Sequence, residues 1–97
     1  MTKFGELISV EKPVLIDFYS DWDEVENNLD TLRDVAVALG DKAKVIKIDI
    51  KKNEPLADAL RVKGNPTFMI YKDGKMKWRQ TGEQDASTLI GLVKQYF

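Results

Sequence analysis

Val14-Leu15-Ile16-Asp17-Phe18-Tyr19 is a nearly continuous apolar run with a single carboxylate inside it. It lacks the in–out alternation of a half-exposed strand. It therefore reads as a strand buried on both faces, the pattern of a sheet covered by helices on each side. Pro13 sets the run off from a short first helix, where Phe4, Leu7 and Ile8 fall at i, i+3, i+4 and Thr2 is available as a cap. Beyond the run, Val25, Leu29, Leu32, Ala36 and Leu39 keep one face of a long helix apolar, and Gly40 closes it. Ser20 and Asp23 have the spacing of a capping box at its start.

A second strand is expected over Val45 to Ile50, then a short helix capped by Asn53-Glu54-Pro55 and carrying Leu56, Ala59 and Leu60. Thr67 to Lys72 reads as a third strand, with Phe68 and Ile70 on one face and Met69 and Tyr71 on the other. Asp73-Gly74 is a two-residue hairpin signal. The partner strand, Lys75 to Gln80, alternates so that Met76 and Trp78 share one face and Lys75, Lys77 and Arg79 the other, as on a guarded edge. Leu89, Ile90 and Val93 mark a last helix from about Asp85 to Tyr96. The order is α-β-α-β-α-β-β-α. Helical crossovers make the early strands parallel, and the tight turn makes the last pair antiparallel. The expected fold class is α/β, a three-layer sandwich with a central four-stranded mixed sheet.

The chain is 97 residues long, enough for one domain over 1–97. With 15 basic and 16 acidic residues its net charge is −1, without the basic excess of a nucleic-acid or membrane-surface binder. No apolar run approaches the roughly 20 residues of a membrane span, so a cytoplasmic protein is expected. There is no cysteine and no histidine. Disulfides, thiolate–zinc sites and iron–sulfur clusters are excluded outright. Ser9, Ser20 and Ser87 have no histidine to activate them.

Taken in order, these residues resemble the thioredoxin family along nearly the whole chain. Val14 to Tyr19 resembles its central strand with the buried aspartate, and Asp21-Trp22 the acidic–aromatic pair before its redox motif. Lys47-Ile48-Asp49 resembles the middle strand with its lysine, and Gly64-Asn65-Pro66-Thr67 the loop that carries a cis-proline. Gly74 and Gly82 fall at the family's turn glycines. The departure is at the motif itself. Where the family has Cys-Gly-Pro-Cys, this chain has Asp23-Glu24-Val25-Glu26, and the stretch from Trp22 to Lys47 is one residue short. Asp23 and Glu26 stand at the two cysteine positions if the deletion lies after Glu26. If it lies within the motif, that correspondence fails.

The resemblance implies a thioredoxin-like, redox-inactive domain with no cofactor, no metal and no catalytic residue. A protein or peptide partner is implied, because in the family the residue before the cis-proline pairs its backbone with an extended peptide. The expected binding face comprises Trp22, Asn65, Pro66, Thr67 and Gly82, with the Asp23–Glu26 turn and Glu83 beside it. Asp17 and Lys47 form the expected buried polar pair. No nucleic acid or membrane partner is expected, and a monomer is. Two other readings stay open. The carboxylates at Asp21, Asp23, Glu24 and Glu26 suit a hard cation and an enzyme that uses it, and they equally suit a helix N-terminus, which attracts negative charge. The domain can also be structural, one partner in an oligomer.

Overall fold

A computed structural model of the chain describes residues 3–19, 26–62, 67–82 and 84–97. Strand β1 (Val14–Tyr19) is an inner strand of a four-stranded sheet. On one side it pairs with β2 (Lys44–Asp49) and on the other with β3 (Thr67–Lys72), and β4 (Lys75–Thr81) lies outside β3. Four helices are described: α1 (Lys3–Ile8), α2 (Glu26–Leu39), α3 (Glu54–Ala59) and α4 (Ala86–Lys94), with a 3₁₀ turn over Gly40–Lys42 after α2.

The apolar run decides the layering. Val14, Ile16 and Phe18 pack with Ile48, Met69 and Tyr71 against Ile8 of α1 and Ala57 of α3. Leu15 packs with Phe68 and Ile70 against Leu32, Val35 and Leu39 of α2 and Leu89 and Val93 of α4. A strand with helices on both sides has no solvated face, which is why β1 could be apolar almost throughout. The three-layer α/β/α sandwich expected from the sequence is the observed fold, and the alternate facing of Phe68, Ile70 and Met69, Tyr71 holds as well.

Four local expectations are corrected. First, only β1 and β2 are parallel; β3 runs antiparallel to β1. Six-residue α3 rises only about 9 Å, against about 20 Å for a six-residue strand, so it does not return the chain to the start of the sheet. The chain re-enters from the end at which β2 left. Second, the buried stripe of α2 runs through Leu32, Val35 and Leu39, while Ala36 is exposed. Third, Asn53 holds the N-cap position of α3 without a side-chain cap; its Nδ2 donates to the carbonyl of Asp49 at 2.9 Å. Ala57, not Ala59, is the buried alanine of that helix.

The fourth correction concerns β4. Ile70 faces Trp78 but Tyr71 faces Met76, so Lys77 is the extra residue of a β-bulge. Met76 and Trp78 therefore lie on opposite faces. Trp78 packs beneath α4 as expected and Arg79, opposite Met69, lies on the other face, also as expected, so the residue that departs is Met76, which joins the α1/α3 face opposite Tyr71. The hairpin before it follows its sequence: Asp73 and Gly74 have φ of 56° and 81°, the pair of positive values that a type I′ turn demands.

α4 begins one residue later than expected, because Asp85 is its N-cap and accepts a hydrogen bond from the Thr88 N–H at 2.9 Å. Hydrogen bonds from Thr88, first through its side chain and then its backbone, hold the Asp85 carboxyl below the usual carboxylate range. A carboxyl lowered on folding stabilises fully above its unfolded value, about 4, and loses that effect as pH falls through the folded one. Asp85→Ala is expected to lower the urea midpoint at pH 7. The gap to the parent should close as the pH is taken down through the carboxylate range.

Candidate functional site

The strand register brings distant segments to one end of the sheet. Tyr19, the last residue of β1, is level with Asp49 at the end of β2. Phe18 is level with Thr67 at the start of β3, and Thr67 with Thr81 at the end of β4. Residues 19, 49, 67 and 81 thus border one sheet end. The segments that leave or enter there are those in which the sequence reading placed its candidate residues.

Trp22, Asp23, Asn65, Pro66 and Glu83 lie outside the described residues, as do the Ser20–Asp23 capping pair and the side chain of Glu26. Glu26 opens the described part of α2. Thr67 is 2% exposed. It anchors the start of β3 and does not offer a side chain to a ligand. Gly82 is half-buried at φ +107°, with nothing within 4 Å of where a Cβ would stand. Glycine is needed there for backbone conformation and not for space.

Asp17 sits on the α2/α4 side of β1 and is fully buried. Its register neighbours are Lys47 on β2 and Phe68 on β3. Adjacency of Asp17 and Lys47 was expected and is present, but not as a buried pair. Lys47 is exposed, and its ammonium lies 4.8 Å from the ring centroid of Tyr19. Lysine on an edge strand carries its charge outward to water, and an aromatic face beside it is a favourable perch. Among the described residues no group of three or more aspartates, glutamates, histidines or cysteines is placed to hold a metal ion.

The sequence reading missed Arg79. Its guanidinium donates to the carbonyls of Leu60 at 2.6 Å and Arg61 at 3.1 Å. These are the carbonyls just past the end of α3, where the chain turns through a left-handed Arg61 (φ 62°). A cation at a helix C-terminus satisfies carbonyls that lack partners within the helix. The contact fixes the stem from which residues 63–66 continue. Alternation places Arg79 on this face, across from Trp78, but it does not show that α3 ends within reach of the guanidinium. On the same face Tyr71 is buried. Burial raises its phenol above the ordinary value, and the charge of Arg79 offsets part of that rise. Arg79→Met keeps the aliphatic stem and removes both hydrogen bonds. It is expected to destabilise the domain by about 1 kcal/mol in urea unfolding, with faster amide exchange at Arg61 and Val62.

The comparisons agree with this architecture. A family model described as Thioredoxin matches residues 1–95. Thioredoxin Y, chloroplastic, of Oryza sativa subsp. japonica is 40% identical over 95 residues, which are 96% of this chain and 56% of that protein. A thioredoxin of Rhodospirillum rubrum is 33% identical over 90 residues, covering 92% of this chain and 86% of that one. Among solved structures, chloroplastic thioredoxin z superposes with a TM-score of 0.83 at 28% identity, over 97% of this chain and 87% of its own. A mutant thioredoxin from Halobacterium salinarum NRC-1 gives 0.81 at 34% identity, over 99% and 84%. The chain spans about half the length of the chloroplast thioredoxins Y that it matches.

Proposed function

The chain belongs to the thioredoxin family, and from that premise we propose that it is a redox-inactive member that binds a protein or peptide at the sheet end bordered by Tyr19, Thr67 and Thr81. One observation carries the reading: a family fold that spans the chain, with no cysteine anywhere in the sequence. Dithiol–disulfide exchange proceeds by attack of a thiolate on a disulfide sulfur. A chain without a thiol cannot begin that step, yet it keeps the scaffold on which the step is ordinarily mounted. What such a scaffold still offers is recognition. Main-chain groups beside Asn65 and an aromatic anchor at Trp22 are the elements of strand-type peptide capture.

That the described strand ends Tyr19, Thr67 and Thr81 lie at one end of the sheet supports this reading. So does the clamp of Arg79 on the stem from which residues 63–66 continue. The reading places the protein in the cytoplasm as a monomer without a cofactor. The chloroplast relatives make a plastid the competing compartment, which fractionation of the native cells would distinguish.

Insulin reduction by dithiothreitol should proceed at the background rate in the presence of the protein. Measurable acceleration would overturn the redox-inactive half of the proposal. Binding is tested by capture from native lysate with the parent and a Trp22→Ala/Asn65→Lys variant as baits. A partner retained by the parent and lost by the variant is the expected result. Identical retention by both baits would move the function away from this face, toward a structural role. A concentration-dependent mass in sedimentation would then identify that role as oligomerisation.

A further inference from the structure

Asp73-Gly74 closes the β3–β4 hairpin, and it is the only place in the chain where an aspartate or asparagine precedes glycine. That pair carries a reaction of its own. Glycine has no Cβ to obstruct its nitrogen, which can attack the carboxyl carbon of the residue before it. A bond forms between Gly74 N and Asp73 Cγ, and the amide hydrogen leaves with the carboxyl OH as water. Water then opens the resulting five-membered imide. Cleavage between Gly74 N and Cγ restores aspartate. Cleavage between Gly74 N and the main-chain carbonyl carbon of Asp73 gives isoaspartate, in which the chain runs through Cβ and Cγ. One water is lost and one regained, so the mass is unchanged and no other reactant takes part.

The fold exposes the carboxyl and withholds the nitrogen. Asp73 is exposed. Gly74 N–H, however, donates to Ile8 O at 3.0 Å, and Asp73 N–H donates to Val10 O at 3.2 Å. In a two-residue hairpin turn these N–H groups point away from the ladder. Here both dock on the end of α1. Ile8 is the last residue of that helix, so its carbonyl lacks a partner within it, and the turn supplies one. Ser9 Oγ closes the same contact, 3.6 Å from where a Cβ on Gly74 would stand. To reach Cγ, Gly74 N must give up its hydrogen and turn toward the Asp73 side chain. That motion breaks the bond to Ile8 and the paired positive φ values of the turn, 56° and 81°.

We propose that Asp73-Gly74 is a fold-gated modification site, protected while α1 is docked and converted to isoaspartate when α1 leaves the hairpin. A six-residue helix is too short to persist by itself and is held by such contacts, so its release is a local opening of the domain. The product has one more main-chain carbon between the two N–H groups. The pair then no longer matches the carbonyls of Ile8 and Val10, and the opening becomes permanent.

The test is incubation of the full chain at 37 °C and pH 7.4, native and in denaturing urea. Isoaspartate is measured by methyl-ester formation with a protein L-isoaspartyl methyltransferase and mapped to position 73 by electron-transfer fragmentation. Formation in the native protein should be at least about tenfold slower than in urea, with amide exchange protected at Asp73 and Gly74. Ile8→Ala loosens α1 and should react faster than the parent natively and equally in urea. If that variant does not fold, the parent in urea below its midpoint replaces it, and its rate should rise before the amides of β1 begin to exchange. The purified isoaspartyl product should show shifted amides at Ile8, Ser9 and Val10, with Phe18 and Thr67 unmoved. Equal native and denatured rates would overturn the proposal, as would free-peptide exchange at both turn amides. A rate that rises only with global unfolding, or a product with unshifted Ile8 to Val10, would remove α1 from the gate. None of these readouts involves peptide binding, so they stand apart from the function proposed above.

Discussion

Asp17→Asn is expected to unfold at the same urea concentration as the parent or a higher one, with a gain of up to about 3 kcal/mol. The residue is fully buried in the inner strand β1, on the face where Leu15, Phe68 and Ile70 meet α2 and α4. Taking a carboxylate out of water carries a desolvation penalty of several kcal/mol, and the polar contacts it makes inside offset that penalty only in part. Lys47, its register neighbour, does not follow it inward. Asparagine keeps the shape and most of the hydrogen-bonding capacity and removes the charge. Urea unfolding at pH 7 decides it. A loss greater than about 1 kcal/mol would show that the ionised group is held by contacts worth more than its dehydration.

The neighbouring residue across the ladder should respond with the opposite sign. Phe68→Ala is expected to cost about 3–5 kcal/mol, the range for truncating a buried aromatic ring. Phe68 is 1% exposed and pairs in register with Asp17 on one side and Gln80 on the other. Its ring belongs to the cluster that joins β1 and β3 to Val35 of α2 and Leu89 of α4. Removal leaves a void between layers that a regular sheet cannot close by shifting. A domain of this length has on the order of 5–15 kcal/mol in total, so a large unfolded fraction at 37 °C is the expected outcome. A loss below 2 kcal/mol by calorimetry would mean that the layer collapses onto the gap. Because Asp17 and Phe68 are register neighbours, their effects should not add, and the double variant would measure the coupling.

Much of this was legible in the chain. The unbroken Val14–Tyr19 run required cover on both faces, Asp73-Gly74 fixed the hairpin, and the alternation of Thr67–Lys72 assigned its residues to the correct layers. The misses have local physical causes. The stripe of α2 passes through Val35 because helical phase is set by which ridge meets the sheet, and Ala36 fits the periodicity nearly as well. The direction of β3 depends on how far a six-residue helix carries the chain, a matter of length that composition does not show. Met76 was misplaced by one inserted residue, since a bulge inverts the facings on one side of it relative to the other while leaving the alternation of residue types intact; the role of Arg79 depends on where α3 ends, which alternation does not show. At the candidate site the sequence named segments, and the register showed that the described strand ends flanking them, Tyr19, Thr67 and Thr81, lie at one end of the sheet. It also showed that Thr67 is an anchor and Lys47 an outward charge.

The row Phe18–Thr67–Thr81 has a consequence for descent. It ties three stretches far apart in the chain at the level of main-chain hydrogen bonds, and main-chain bonds do not depend on which side chains the adjoining loops carry. A lineage can therefore rewrite the loop chemistry, exchanging thiols for carboxylates, without first solving the folding problem again. On such a frame the loss of a reaction would not entail decay of the protein. The main-chain frame would stay available for selection to use in another way.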